Sequence, residues 1–205
     1  MHNCATHISF EVLPDSTIPI FTMQLKTQYK TYLYILISAI FLAIIAICIY
    51  YLLGGFKEII IAKTIKNSYS IAGKEFIGSY KNDTLGLYFN QMKTIIDQGK
   101  LNGDLCLINY QDSTLKNNDV HQFIGILLVD DISEIPTGLH VREMNAETSF
   151  IAALIMHPLV RPNSEKVQAM LVEFAKKEGY KLDAYTLERF YADNSVIVEM
   201  IAIEE

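Results

Sequence analysis

The chain has 205 residues, 51% of them hydrophobic, and sets 17 Lys and Arg against 23 Asp and Glu for a formal net charge of -6. That length admits one domain plus an appendage, and the acidic balance argues against a nucleic-acid-binding surface, which needs a Lys/Arg-rich face. Three cysteines, scattered as Cys4, Cys48 and Cys106, exclude a disulfide framework.

Residues 1–30 read as a short leader without periodicity. His2, Cys4 and His7 have ligand chemistry but lack a fourth partner and a scaffold, so no metal is assigned to them. Met23 is an alternative start that leaves "MQLKTQYK" as a basic flank. Residues 31–56 then hold no charge between Lys30 and Lys57, and their centre, "YLYILISAIFLAIIAICIYYLL", is apolar on every face. At about 1.5 Å per residue, roughly 20 such residues cross the ~30 Å hydrocarbon layer. Tyr32, Tyr34, Tyr50 and Tyr51 stand near its ends, where amphipathic rings settle at headgroup level. The run is longer than a secretory apolar core, and Gly54-Gly55-Phe56 makes a poor cleavage site. The expectation is a single-pass transmembrane helix over 31–56, with the lipid bilayer as its partner. Lys26 and Lys30 precede it and Lys57, Lys63 and Lys66 follow, so the positive-inside rule puts residues 57–205 on the cytoplasmic side by one lysine.

The domain over 57–205 opens with two predicted strands, "EIIIAKTI" and "YSIAGKEFIGSY". A helix capped by Asp83 follows, with Leu85, Tyr88, Phe89, Met92, Ile95 and Ile96 at helical spacing. "LCLINY" and "HQFIGILLV" are strands around a polar loop. The order then recurs: strands "GLHVREM" and "SFIAALIM", a helix over "SEKVQAMLVEFAKKEGY" opened by Ser164 or Asn163, and strands "LERFY" and "VIVEMIAI". "KLNGDLCLINYQD" overlays "KLDAYTLERFYAD" without a gap, and "EFIGSY" resembles "SFIAAL". The fold expected is α+β: two tandem β-β-α-β-β repeats in a pseudo-twofold antiparallel sheet, both helices on one side, with a ligand groove between the halves.

That overlay sets Glu188 against Leu107 and Phe190 against Asn109. A carboxylate where the other half has an apolar side chain suits a cationic ligand whose apolar surface is covered by rings. It equally suits an open sheet face, or a pair with Arg189 or a lysine. The aromatic candidates for such a cage are Tyr80, Tyr88, Tyr110, Phe123, Phe150 and Phe190, each also a plausible core residue.

Five stretches carry a family resemblance: "FIGSY", "FIGILLVDD", "EIPTGLHVREMNA", "MHP" and "LERFYAD", in order between Glu58 and Ile203. They resemble the GyrI-like (gyrase-inhibitor-like) small-molecule-binding family, which also supplies the effector-binding domains of multidrug-responsive regulators. The resemblance implies that Glu188 faces the groove and meets a cationic drug-like molecule. The chain departs from the pattern in placing Tyr191 one position late, in Ser79 where proline is frequent, and in lacking tryptophan. Regulators of the family carry a helix-turn-helix reader where this chain has its apolar run, which weighs against a transcription factor.

No phosphate loop, Cys-x-x-Cys pair or nucleophile elbow is present. His121, His140 and His157 are too far apart in the pattern for a metal triad, and the acidic stretch Asp130, Asp131 and Glu134 lacks EF-hand spacing. No cofactor and no catalytic residue is assigned. The expected function is a membrane-anchored module that senses or sequesters a small amphipathic, cationic molecule. The alternatives are a protein-docking or inhibitor module with its partner at the membrane, and a hydrolase of small electrophiles using Glu188 as base.

Overall fold

The computed structural model describes residues 18–112, 114–115, 118–129 and 135–203, for 18–28, 66 and 67 the backbone alone. His2, Cys4, His7, Asp130, Asp131 and Glu134 lie outside the described residues. The chain divides into two compact units, Met1–Ile49 and Tyr50–Glu205.

The first helix, α1 (Ile18–Leu52), starts ahead of the span expected from the sequence and includes Met23. Its segment Tyr29–Leu52 has a mean hydropathy of 2.8 and is long and apolar enough to cross a membrane. The helix stops in a glycine motif: Gly54 has φ of 79°, its N–H bonds the Tyr51 carbonyl at 3.0 Å, and the Gly55 N–H bonds that of Tyr50 at 2.9 Å. Only a residue that tolerates a left-handed backbone closes a helix this way without strain.

The second unit is α+β with an antiparallel sheet, as expected. Its elements are β1 (Ile60–Ser79), α2 (Asp83–Asp97), β2 (Gly103–Tyr110), β3 (Asp119–Leu128), β4 (His140–Leu154), a 3-10 turn (Pro158–Val160), α3 (Ser164–Lys177), β5 (Lys181–Leu182), β6 (Tyr185–Phe190) and β7 (Val196–Ile203). The strand pairs expected ahead of each helix are single long strands. β1 and β4 pair from Ile60 with Ala153 to Gly73 with His140. Their polar midsections, "KNS" and "NAET", look like breaks but contain no Gly or Pro, so the ribbon runs through them. Each half therefore reads strand–helix–strand–strand, with the short β5 added in the second.

The sheet order is β4-β1-β3-β2-β6-β7-β5, and β4 also pairs with β7. Ser149–Leu154 of β4 bond Ile201–Val196 of β7, so the six long strands close a hydrogen-bonded circuit. Two strands approach closely where Gly73 faces Gly125 in the β1–β3 ladder. A side chain at Gly73 would run into the Ile124 carbonyl, and one at Gly125 would come within 2.8 Å of the Ala72 carbonyl.

Side chains alternate across this sheet. On one face Ala72, Phe76, Leu107, Ile124 and Ile126 pack under Met92 and Ile95 of α2, while Val196, Val198, Met200, Phe150 and Ala152 pack under Val167, Leu171 and Ala175 of α3. On the other face Ile71, Cys106, Ile108, Phe123, Leu127, Leu187 and Ile201 form a separate cluster. Helix α2 opens on Asn82, whose Oδ1 accepts from the Thr84 N–H at 3.0 Å, so Asp83 sits in the first turn rather than at the cap. Helix α3 opens on Asn163, whose Oδ1 accepts from the Lys166 N–H at 3.1 Å, leaving the Ser164 hydroxyl free for another use.

Candidate functional site

Strand β6 lies between the footprints of the two helices. α2 rests on β1, β3 and β2, and α3 on β4, β7 and β5, whereas β6 runs between β2 and β7. Thr186, Glu188 and Phe190 project from it on the helix-covered face. Phe190 packs against the α2 cluster and the α3 cluster at once, and Phe89 of α2 meets its ring edge-on at 5.8 Å. Glu188 stands beside it, directly across the ladder from Leu107.

Glu188 is largely buried and its surroundings leave it short of charge compensation. The Ser164 hydroxyl, at the start of α3, donates to its Oε1 at 2.9 Å. Gln168 supports that hydroxyl at 3.4 Å and is itself bonded by Gln111 at 3.0 Å. Burial raises the Glu188 pKa; the Ser164 hydrogen bond and the charge of Arg161 oppose this only in part. Arg161 is engaged elsewhere: its Nη2 donates to the Asn194 carbonyl at 2.6 Å and the Met156 carbonyl at 3.4 Å. Thr186 Oγ1, on the same face, is buried without a hydrogen-bond partner. The sheet between the two helices thus carries one carboxylate, one buried hydroxyl without a hydrogen-bond partner, and the apolar side chains of Leu107 and Phe190.

The other expected site residues separate. Tyr88 turns toward β1, 6.5 Å from the Phe76 ring, with the Lys74 ammonium 5.2 Å from its own. Tyr80 follows β1 and is 54% exposed. Phe150 is fully buried beneath α3, near Phe174 and Tyr180. Tyr110 and Phe123 lie on the opposite face, where the Arg142 guanidinium stands 4.8 Å from the Phe123 ring and 5.3 Å from that of Tyr110 and donates to the Tyr110 hydroxyl. Those two rings already hold a cation, supplied by the protein itself. Burial raises the Tyr110 pKa and pushes that of neighbouring Tyr185 up to about 12.

Two residues of the gap were not singled out by the sequence reading. Phe89 was visible only as one apolar position among several; a helix turns about 100° per residue, which aims Phe89 at β6 and Tyr88 at β1. Ser164 read as a cap candidate, and no local pattern signals that Asn163 takes that role.

The opposite face holds a second carboxylate, Glu199, 1% exposed. Arg189 Nη2 reaches its Oε2 at 3.0 Å, the Tyr69 hydroxyl lies 3.0 Å from both oxygens, and the Ser149 hydroxyl donates to Oε1. Desolvation by burial and the neighbouring carboxylate push the Tyr69 pKa upward. This carboxylate is satisfied by the protein. Among the described residues, no group of three His, Cys, Asp or Glu side chains is placed to hold a metal ion.

No protein-family model and no curated protein matches the sequence. The fold matches solved structures. EcmrR, in its complex with DNA, is 15% identical over 93% of this chain and 74% of that one, with a TM-score of 0.52. An uncharacterized conserved protein from Listeria innocua is 11% identical over 70% of this chain and 92% of that one, with a TM-score of 0.51. At these identities the likeness concerns the fold, which is consistent with the GyrI-like expectation.

Proposed function

We propose that the chain is a membrane-tethered GyrI-like domain that binds a small amphipathic cation in the gap between α2 and α3. The carrying observation is Glu188: a mostly buried carboxylate on an apolar floor, met by a single neutral hydroxyl and by no salt bridge among the described residues. A cation with apolar flanks supplies the missing charge while Phe190, Phe89 and Leu107 cover its surface. The two halves are read as repeats about a local axis between Leu107 and Glu188, since these two overlay in sequence and are direct ladder partners, with the pairs Leu105–Phe190 and Asn109–Thr186 placed symmetrically about them. The apolar helix α1 is read as the anchor, with the domain on the cytoplasmic side. No nucleic acid is assigned as a partner.

The test is thermal unfolding of the full chain in lipid nanodiscs against lipophilic cations and neutral amphiphiles of matched size. A ligand that binds only the folded state at 100 times its Kd adds about 2.7 kcal/mol. Stabilisation by cations that Glu188→Gln removes supports the reading. Product formation lost in Glu188→Gln points instead to hydrolysis. No response to any compound returns the protein-docking alternative, to be pursued by capture from solubilised membranes.

A further inference from the structure

Between β4 and α3 the chain leaves the sheet, and its side chains there stop following the burial pattern of the domain. Leu159 is 81% exposed and Ile155 is 48% exposed. The segment is nonetheless held firmly. His157 Nδ1 accepts from the Leu159 N–H at 3.3 Å, and Arg161 bonds the carbonyls of Met156 and Asn194. The His157 N–H donates to the Leu53 carbonyl at 3.0 Å, which fixes the turn beside the residue that follows α1. Leu52, Leu53, Lys57, Ile155 and Met156 border one hollow. Phe56, 65% exposed, meets the Tyr50 ring edge-on at 5.0 Å and lies 6.4 Å from Tyr51. All of these residues belong to the second unit. Large apolar side chains held outward and gathered at one end of a domain mark an interaction surface.

Chain continuity identifies the occupant. Tyr29–Leu52 has 24 residues. At about 1.5 Å each they extend roughly 36 Å, a few ångströms beyond a hydrocarbon layer of about 30 Å. The residues around Leu53 then emerge in the interfacial layer, where Tyr and neighbouring aromatic rings are at home. The His157 N–H bond to the Leu53 carbonyl ties the turn to this point of the chain.

We infer that the domain makes a second, in-plane contact with the bilayer: the turn Ile155–Val160 and Phe56 seat on the membrane interface, with Leu159 reaching the acyl boundary and Lys57 among the headgroups. This rests on reading α1 as a membrane span. The contact restricts how the domain swings about its tether and presents one fixed side to the cytoplasm.

The chain has no tryptophan, so single substitutions report without background. Leu159→Trp, Leu87→Trp on exposed α2 surface and Ile40→Trp within α1 are each reconstituted as the full chain in phosphatidylcholine vesicles with and without acyl-chain bromination. Leu159→Trp is expected to emit at shorter wavelength than Leu87→Trp and to lose most of its emission to brominated lipid, as Ile40→Trp does. Leu87→Trp is expected to respond to aqueous iodide alone. If Leu159→Trp follows Leu87→Trp while Ile40→Trp is quenched by brominated lipid, the span stands and the in-plane contact is overturned. If Ile40→Trp also escapes brominated lipid, the anchor reading and the contact fall together.

Discussion

Glu188 and Glu199 lie on opposite faces of neighbouring strands, and their environments predict opposite responses to mutation. The Glu188 pKa is raised in the fold, so between its ordinary and folded values the native state binds the extra proton. Stability therefore falls as pH rises through that window, and above it the ionised group is a standing cost. Glu188→Gln is expected to stabilise the fold at pH 7 by about 1 kcal/mol, seen as a higher melting midpoint, with the gain shrinking as pH falls into the carboxylate range. On the proposed reading the same substitution is expected to abolish cation binding, so stability and function would trade against each other at one side chain. Wild-type cation affinity should itself decline on acidification at a higher pH than an ordinary carboxylate would give, read by titration across pH. Glu199→Ala, by contrast, strands Arg189 in a dry site and should cost about 3–5 kcal/mol in chemical denaturation; replacing both by methionine should recover most of it. Sequence singled out Glu188 because its overlay partner is Leu107. It gave no such sign for Glu199, whose partners Tyr69, Ser149 and Arg189 come together only when β1, β4, β6 and β7 pair.

Among the elements, β1 and β4 organise the domain. Local patterning reported strands correctly along both, but read two each, because polar midsections look like loops until a partner strand is known. The facing glycines Gly73 and Gly125 mark where β1 and β3 approach too closely for a side chain. Gly73→Ala is expected to destabilise by roughly 1–3 kcal/mol, since backbone rather than a flexible side chain must move. Gly86→Ala in α2, where a Cβ meets nothing, should be neutral or stabilising. Parallel thermal melts of the two variants separate crowding from a general loss of glycine. The helices were legible from their spacing and caps, yet which aromatic side chain each aims at the gap depends on where its axis lies over the sheet. That is why Phe89 and Phe190 meet while Tyr88, Tyr110, Phe123 and Phe150 are used elsewhere.

For the whole molecule, the apolar run was the plainest signal in the sequence, and its role as a span is directly testable. Replacing Ile40 and Ile44 together by lysine should cost about 5–7 kcal/mol of insertion free energy, enough to offset the apolar side chains that remain, and shift the chain from the alkaline-extracted membrane pellet toward the supernatant. The closed circuit of strands has a further consequence, for the order of events during synthesis. β7 bonds both β6 and β4, so the ring cannot shut until the residues near Met200 have been made. At about 5–20 residues per second, the roughly 150 residues between α1 and that point take on the order of 10–30 s. On the proposed reading the anchor is delivered to the bilayer first, and an incomplete ring waits there with strand edges open. Nascent chains of this protein would then be most vulnerable to chaperone capture or mispairing on the membrane itself, before the last strand arrives.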